Sequence, residues 1–253
     1  ALTTGTYNTI VGQEAFKDAT IATGNTALGH QAGQTVAGNY NTIIGTEAAQ
    51  AATSMEGSVI IGRQAAGAAA ATGDYNVLIG YKAGYDLTTG YDNVGVGREV
   101  LQNITEGNFN TAVGRTAGGA LSTGVGNVFM GYAAGYSTTT TNYNTYVGYS
   151  AGKTGSTADK NTAIGNEALL ENDTGGNNTA LGYQALYNTT DSSNVALGYK
   201  AGKNNTSGGG NVFIGYQAGP ASTNTDDDEL YIANDEGDPL IGGTFPNTLI
   251  SLN

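Results

Sequence analysis

The chain has 253 residues, no cysteine, 41 glycines and a formal net charge of −12 with nine lysines and arginines. This composition excludes a disulfide framework and thiol chemistry, and it lacks the basic stripes that contact with nucleic acid or anionic lipid requires. No run of about 18 apolar residues is present, so no membrane-spanning helix is expected.

Residues 1–12 are already repeat sequence, as in a mature product or a piece of a longer fibre. A five-residue phrase, Asn-(Thr/Val)-x-aliphatic-Gly, then returns thirteen times, closing at Gly12, Gly29, Gly45, Gly62, Gly80, Gly97, Gly114, Gly131, Gly148, Gly165, Gly182, Gly198 and Gly215. Successive gaps are 17 residues in nine cases, 16 in two and 18 in one. So strict a period predicts an all-β chain, a parallel β-roll or solenoid with one coil per repeat. The thirteen coils of ~17 residues occupy residues 1–220, and at the usual strand spacing they would rise about 60 Å.

Each position carries its own demand. The Thr/Val and the aliphatic residue share one strand face because side chains alternate with period two. That face is read as the core, and the residue between them, from Gly95 to Tyr146, as facing away. An Ala (Val100 in one coil) follows each glycine by three residues, a small wall opposite the fixed aliphatic in a narrow roll. The glycines, among them Gly29, Gly45, Gly80, Gly114, Gly148, Gly182 and Gly215, are structural, supplying a bend or a close backbone approach. The opening Asn, replaced once by Ser58, is expected to form an amide ladder along the stack.

A longer period lies under the first. The residue before the Asn is aromatic in alternate coils, at Tyr7, Tyr40, Tyr75, Phe109 and Tyr143, and Gly24, Gly57, Asp92, Gly126 and Lys160 stand between. These rings are read first as large-on-small packing between coils, with a row of exposed platforms for sugars or another surface contact as the functional alternative. Tyr81, Tyr132, Tyr149, Tyr183, Tyr199 and Tyr216 directly follow glycines and form a second column.

After Pro220 the phrase stops. Residues 221–253 are read as a C-terminal cap or junction segment, with an acidic group over 226–238 and strand-like runs at 230–233, 240–245 and 248–252. A solvated turn is the plain reading of the acidic group, and a Ca²⁺ site the alternative.

Asn25-Thr26-Ala27-Leu28-Gly29, repeated residue for residue at 178–182, resembles the Asn-Ser-Val-Ala-Ile-Gly…Ala-x-Ala repeat in the head of trimeric autotransporter adhesins. Similar repeats occur in phage tail fibres and bacterial surface proteins, and the matching copies span residues 8–219. The resemblance implies a left-handed roll, three chains packed side by side as a homotrimer, and neighbouring fibre modules as partners. The tail from Leu230 to Phe245 resembles a segment that often follows such repeats, sometimes ahead of a self-cleaving chaperone domain. Coils of 17 residues exceed the usual adhesin-head repeat, and no stalk heptads or membrane-anchor domain are legible. Those departures put tail fibre ahead of adhesin.

Enzyme chemistry finds little footing. His30 is the only histidine, and the stretch Gly148–Thr154 has three residues between its glycines where a phosphate-binding loop has four. Glu14, Glu47, Glu99 and Glu167 share one repeat position, with no two in adjacent coils, which suits exposed ladder residues better than a glycosidase pair. No catalytic, cofactor-binding or metal-binding residue is assigned. The expected function is a non-enzymatic fibre protein, shaft or receptor-binding head, on a virion or bacterial surface, holding a cell-surface glycan or protein through many weak contacts. The alternatives are an ice- or mineral-binding solenoid, built on Thr9, Thr26, Thr42, Thr111, Thr145, Thr162 and Thr179, and a polysaccharide-degrading spike. The ice reading is weakened by Val in six coils and by the placement of those threonines with the core aliphatics.

Overall fold

A computed structural model describes residues 5–235, 237, 239–244, 251 and 252. The chain is an all-β parallel solenoid of thirteen coils, each giving one three-residue strand, and no helix occurs among the described residues. It divides into two compact units, residues 1–127 and 128–253. The first holds β1 (Thr9–Val11), β2 (Thr26–Leu28), β3 (Thr42–Ile44), β4 (Val59–Ile61), β5 (Val77–Ile79), β6 (Val94–Val96) and β7 (Thr111–Val113). The second holds β8 (Val128–Met130), β9 (Thr145–Val147), β10 (Thr162–Ile164), β11 (Thr179–Leu181), β12 (Val195–Leu197) and β13 (Val212–Ile214).

Within each unit, consecutive strands pair in parallel with like motif positions opposed, as Thr9 faces Thr26, Ile10 faces Ala27 and Val11 faces Leu28. The pairing runs past the strand ends. The Gly29 N–H donates to Val11 O (2.9 Å) and the Gly45 N–H to Leu28 O (2.8 Å), so the closing corner is laddered as well.

The facing of the strands is the reverse of that expected. The middle residue is the buried one, as at Ala27, Ile43, Ile60, Leu78, Gly95 and Ala112 in the first unit and Phe129, Tyr146, Ala163, Ala180, Ala196 and Phe213 in the second. The Thr/Val and aliphatic positions on either side are half-buried or exposed. Period two places positions one and three together but does not say which side curls inward. The constant positions line the outside, and the variable one fills the roll.

That variability is volume compensation. At Leu78, Phe129, Tyr146 and Phe213 the residue four after the closing glycine is Gly: a Cβ at Gly84 would lie 2.5 Å from Leu78 Cδ1, and one at Gly135 would lie 2.6 Å from Phe129 Cδ1. Where the middle residue is Gly95 or Ala180, that place carries the buried Leu101 or Leu186. Roll interiors are close-packed, so the largest side chains leave room only for glycine at that place, and Gly33 yields space to Phe16 and Ile43 of the neighbouring coils. The following Ala is indeed buried in most coils, from Ala32 to Ala218.

The closing glycines Gly29, Gly45, Gly80, Gly114, Gly148, Gly182 and Gly215 have φ between 125° and 142°. At Gly80 an added Cβ would lie 2.1 Å from the carbonyl oxygen of Gly97 in the next coil, so side chains are excluded by both conformation and space.

Buried asparagines brace each coil. In the first unit Asn76 Oδ1 accepts from the Asn93 backbone N–H (3.0 Å) and Nδ2 (3.0 Å), and Asn93 Oδ1 accepts likewise from Asn110 (3.1 and 3.0 Å). Asn93 Nδ2 also donates to Gly107 O (2.7 Å), tying the strand start to the turn that opens the next coil. Ser58 keeps the ladder by accepting from the Asn76 N–H (3.1 Å) through Oγ. In the second unit the ladder runs through Asn144, Asn161, Asn178, Asn194 and Asn211 by side-chain carbonyl to backbone N–H.

The stack continues past residue 220. β14 (Glu229–Ile232) pairs in parallel with β13, Val212 opposite Leu230, and its Tyr231 ring stacks on Phe213 at 5.7 Å. Glu229 takes the ladder place of the asparagines, its N–H donating to Asn211 Oδ1 (2.7 Å). β15 (Ile241–Thr244) then runs antiparallel to β14, and β16 (Ser251–Leu252) antiparallel to β15. Of the strand-like run at 248–252, residues 248–250 lie outside the described residues, as does Phe245.

Candidate functional site

The position before the ladder Asn takes a left-handed backbone in coil after coil. Tyr7, Tyr40, Tyr75, Phe109 and Tyr143 have φ between 56° and 59°, Asp92 54°, and Gly24 and Gly57 70° and 61°. Glycine sits there freely, whereas any other residue costs on the order of 1 kcal/mol. The rings do pack on small neighbours, because a Cβ at Gly24 or Gly57 would lie 2.7 Å from Tyr40 or Tyr75. They nevertheless remain 54–91% exposed. The same backbone also holds Lys160, Asn177 and Ser193, so it belongs to the corner of the coil; what sets the aromatic positions apart is the open ring area, which suits a contact role.

The row is interrupted at one coil of the first unit. Tyr91 and Asp92 replace the ring-on-glycine pattern, and an open groove of about 370 Å³ forms between Tyr75 and Tyr91. Asp74, Asp92, Thr72 and Thr89 also line it. Tyr91 is fixed from two directions: its N–H donates to Asn108 Oδ1 (2.9 Å), and its ring meets Phe109 edge-on at 5.2 Å. Asp74 Oδ1 accepts from the Glu56 N–H (2.8 Å), and the Asp92 N–H donates to Asp74 O (3.1 Å).

The column after the glycines is a ladder of planar groups. In the second unit Tyr183, Tyr199 and Tyr216 stack at 5.2 and 5.1 Å with planes within 11°, and Tyr132 stacks on Tyr149 at 5.1 Å. In the first unit Tyr81 has the guanidinium groups of Arg63 and Arg98 at 6.0 and 5.8 Å, and Lys82 at 5.7 Å. All three arginines of the chain, Arg63, Arg98 and Arg115, fall in this column. Planarity is what the stacking selects.

The ladder carboxylates are tied to their neighbours. Gln31, Gln64 and Gln184 donate through Nε2 to Glu14 (2.8 Å), Glu47 (2.7 Å) and Glu167 (2.7 Å), and Arg98 pairs with Glu99 at 3.2 Å. The bond from Gln31, followed by that from Lys17, holds the Glu14 carboxyl below its ordinary value, the opposite of what a general acid needs. Glu229 is moved upward, first by burial, despite hydrogen bonds from Tyr231 and Asn224; the Tyr231 hydroxyl is pushed up to about 12, again mainly by burial.

In the acidic segment, Asp227 Oδ1 accepts from the Gly209 N–H (2.7 Å) and the Asp226 N–H donates to Asn224 Oδ1 (3.0 Å). The first bond fastens the glycine loop of the preceding coil, and the second is local to the acidic segment. Glu236 and Asp238 of the candidate Ca²⁺ group lie outside the described residues, and among those described no three acidic or histidine side chains converge. His30 is an exposed corner residue, and Gly148–Thr154 is an ordinary coil corner whose Gly152 makes room for Tyr146.

Two features escaped the sequence reading. One is the Tyr75–Tyr91 groove, for which only the departure from alternation at Tyr91-Asp92 was a signal. The other is the outer strand face, where Val11, Leu28, Met130, Ile164, Leu181 and Leu197 are 39–56% exposed. No family model, curated protein or solved structure matches this chain.

Proposed function

We propose that the chain is a non-enzymatic attachment protein, the shaft or head of a phage tail fibre or, as second choice, of a bacterial adhesin, working outside the cell as a homotrimer. The observation that carries this reading is the outer strand face, aliphatic and half-open at one position in coil after coil. Contiguous apolar surface of this kind marks an interaction site in soluble proteins. Three like chains covering each other's faces account for it, and the resemblance to adhesin heads and tail fibres points the same way. The exposed aromatic row and the loops after each buried Ala are then left outward, where identical chains multiply weak contacts with a surface glycan or protein. Labelled protein added to a panel of bacterial envelope preparations tests this. Retention that survives washing, and is lost when the native oligomer is dissociated, is the expected result; absence of retention on every preparation overturns the reading.

A second reading draws on the same face. Thr9 and Thr26 in the first unit and Thr179 in the second are exposed on their strands rather than turned inward, which removes one objection to ice or mineral binding. Val at six coils still interrupts the array. Thermal hysteresis of the purified chain decides it, and a trimer that buries the face excludes it.

A further inference from the structure

We propose that the groove between Tyr75 and Tyr91 is a saccharide subsite that takes one pyranose residue of a neutral glycan. The inference rests on the attachment reading and names the chemistry of one contact. Three independent features converge there. The groove, at about 370 Å³, falls within the range of small-ligand sites and is bounded by two tyrosines that are 56% and 41% exposed. Aromatic faces of this kind match the apolar C–H face of a sugar ring while leaving its hydroxyls at the rim. Asp92 lies at that rim with a carboxylate exposed, and Asp74 uses Oδ1 for the Glu56 N–H, leaving Oδ2 as an acceptor. Carboxylates accept hydrogen bonds from hydroxyls and repel uronate or sialate, so the pair selects a neutral sugar.

The site is also built rather than incidental. Tyr91 is held by Asn108 and by the Phe109 ring, and Tyr75 and Asp92 both carry the left-handed backbone that glycine occupies elsewhere in the row.

Saturation-transfer NMR on the intact chain with maltohexaose, cellohexaose and chitotetraose, and with sialyllactose and trigalacturonate as anionic arms, reads the proposal. At least one neutral probe is expected to bind in the millimolar range or tighter, with Tyr91→Ala and Asp92→Asn each weakening it by roughly tenfold at unchanged thermal midpoint. Asp92→Asn keeps shape and fold and guards against a Tyr91 variant that merely misfolds. Absence of binding by all neutral probes, neutral binding indifferent to both variants, or binding confined to the anionic probes and lost in Arg98→Gln would each overturn it. Retention on envelope preparations separates the two ideas. If retention persists while the groove fails, attachment stands on other surfaces; if retention is absent as well, the attachment reading falls with it.

Discussion

Asn93 illustrates how much one side chain does in this fold. It is fully buried, accepts from two donors of Asn110, and donates to Asn76 Oδ1, Tyr91 O and Gly107 O. Truncation to alanine would leave the Asn110 N–H and the Gly107 carbonyl buried without those partners. Asn93→Ala is therefore expected to destabilise the first unit by about 2–4 kcal/mol in denaturant unfolding. Ser58 shows what a lesser acceptor retains, so Asn93→Ser is expected to cost about half as much. Equal losses in the two variants would mean that the acceptor bond to the next coil counts for little. Repetition of Asn was legible because every coil presents the same orphan N–H and turn carbonyl at the same height, and one side chain satisfies both.

At the scale of the coil, the roll interior sets a volume rule at its most crowded rungs, where Leu78, Phe129, Tyr146 and Phe213 each meet a glycine four after the closing glycine. Gly135→Ala would place a Cβ 2.6 Å from Phe129 on a backbone with φ of 59°. The expected cost is about 1–3 kcal/mol, and adding Phe129→Leu should return the steric part while the backbone part stays. Thermal unfolding of the single and double variants measures the split, and an additive double variant would refute the coupling. The same rule explains what the sequence hid. A three-residue strand places Thr/Val and the aliphatic residue on one side, but nothing in so short a pattern tells concave from convex, so their constancy passed for a core. The fourteenth rung was hidden for a different reason: Glu229 stands where Asn is the signature and Ala233 where Gly is, and only the backbone register discloses the continuation. That rung carries a charge at an uncongenial place. Burial raises the Glu229 carboxyl above its unfolded value, so its stabilising effect is present at low pH and is lost as pH rises through the folded value. Near neutral pH the ionised group weakens β14. Glu229→Gln should slow amide exchange of Leu230–Ile232 several-fold at pH 7 and much less at pH 4, and an equal effect at both pH values would assign the change to something other than ionisation.

For the whole molecule the open question is what covers the outer strand face. Leu28 in the first unit and Leu181 in the second stand 48% and 43% exposed in the single chain, each two residues from an exposed Thr on the same strand face. Both leucines stand on the outer strand face, opposite the buried middle residues Ala27 and Ala180, so Leu28→Glu and Leu181→Glu are expected to leave the single coil folded, while a carboxylate buried against a like chain would be strongly unfavourable. The wild-type chain of 25.5 kDa is expected to run in light scattering at about three times that mass. The double variant is expected to dissociate to single chains with its circular dichroism unchanged. A wild-type mass of one chain would leave the face open and transfer the weight of evidence to the threonine array, where thermal hysteresis is the next measurement. A trimer indifferent to both glutamates would place the contact on another side of the coil, the stacked Tyr183–Tyr199–Tyr216 column being the next face to charge, since its rings are likewise exposed and continuous along three rungs.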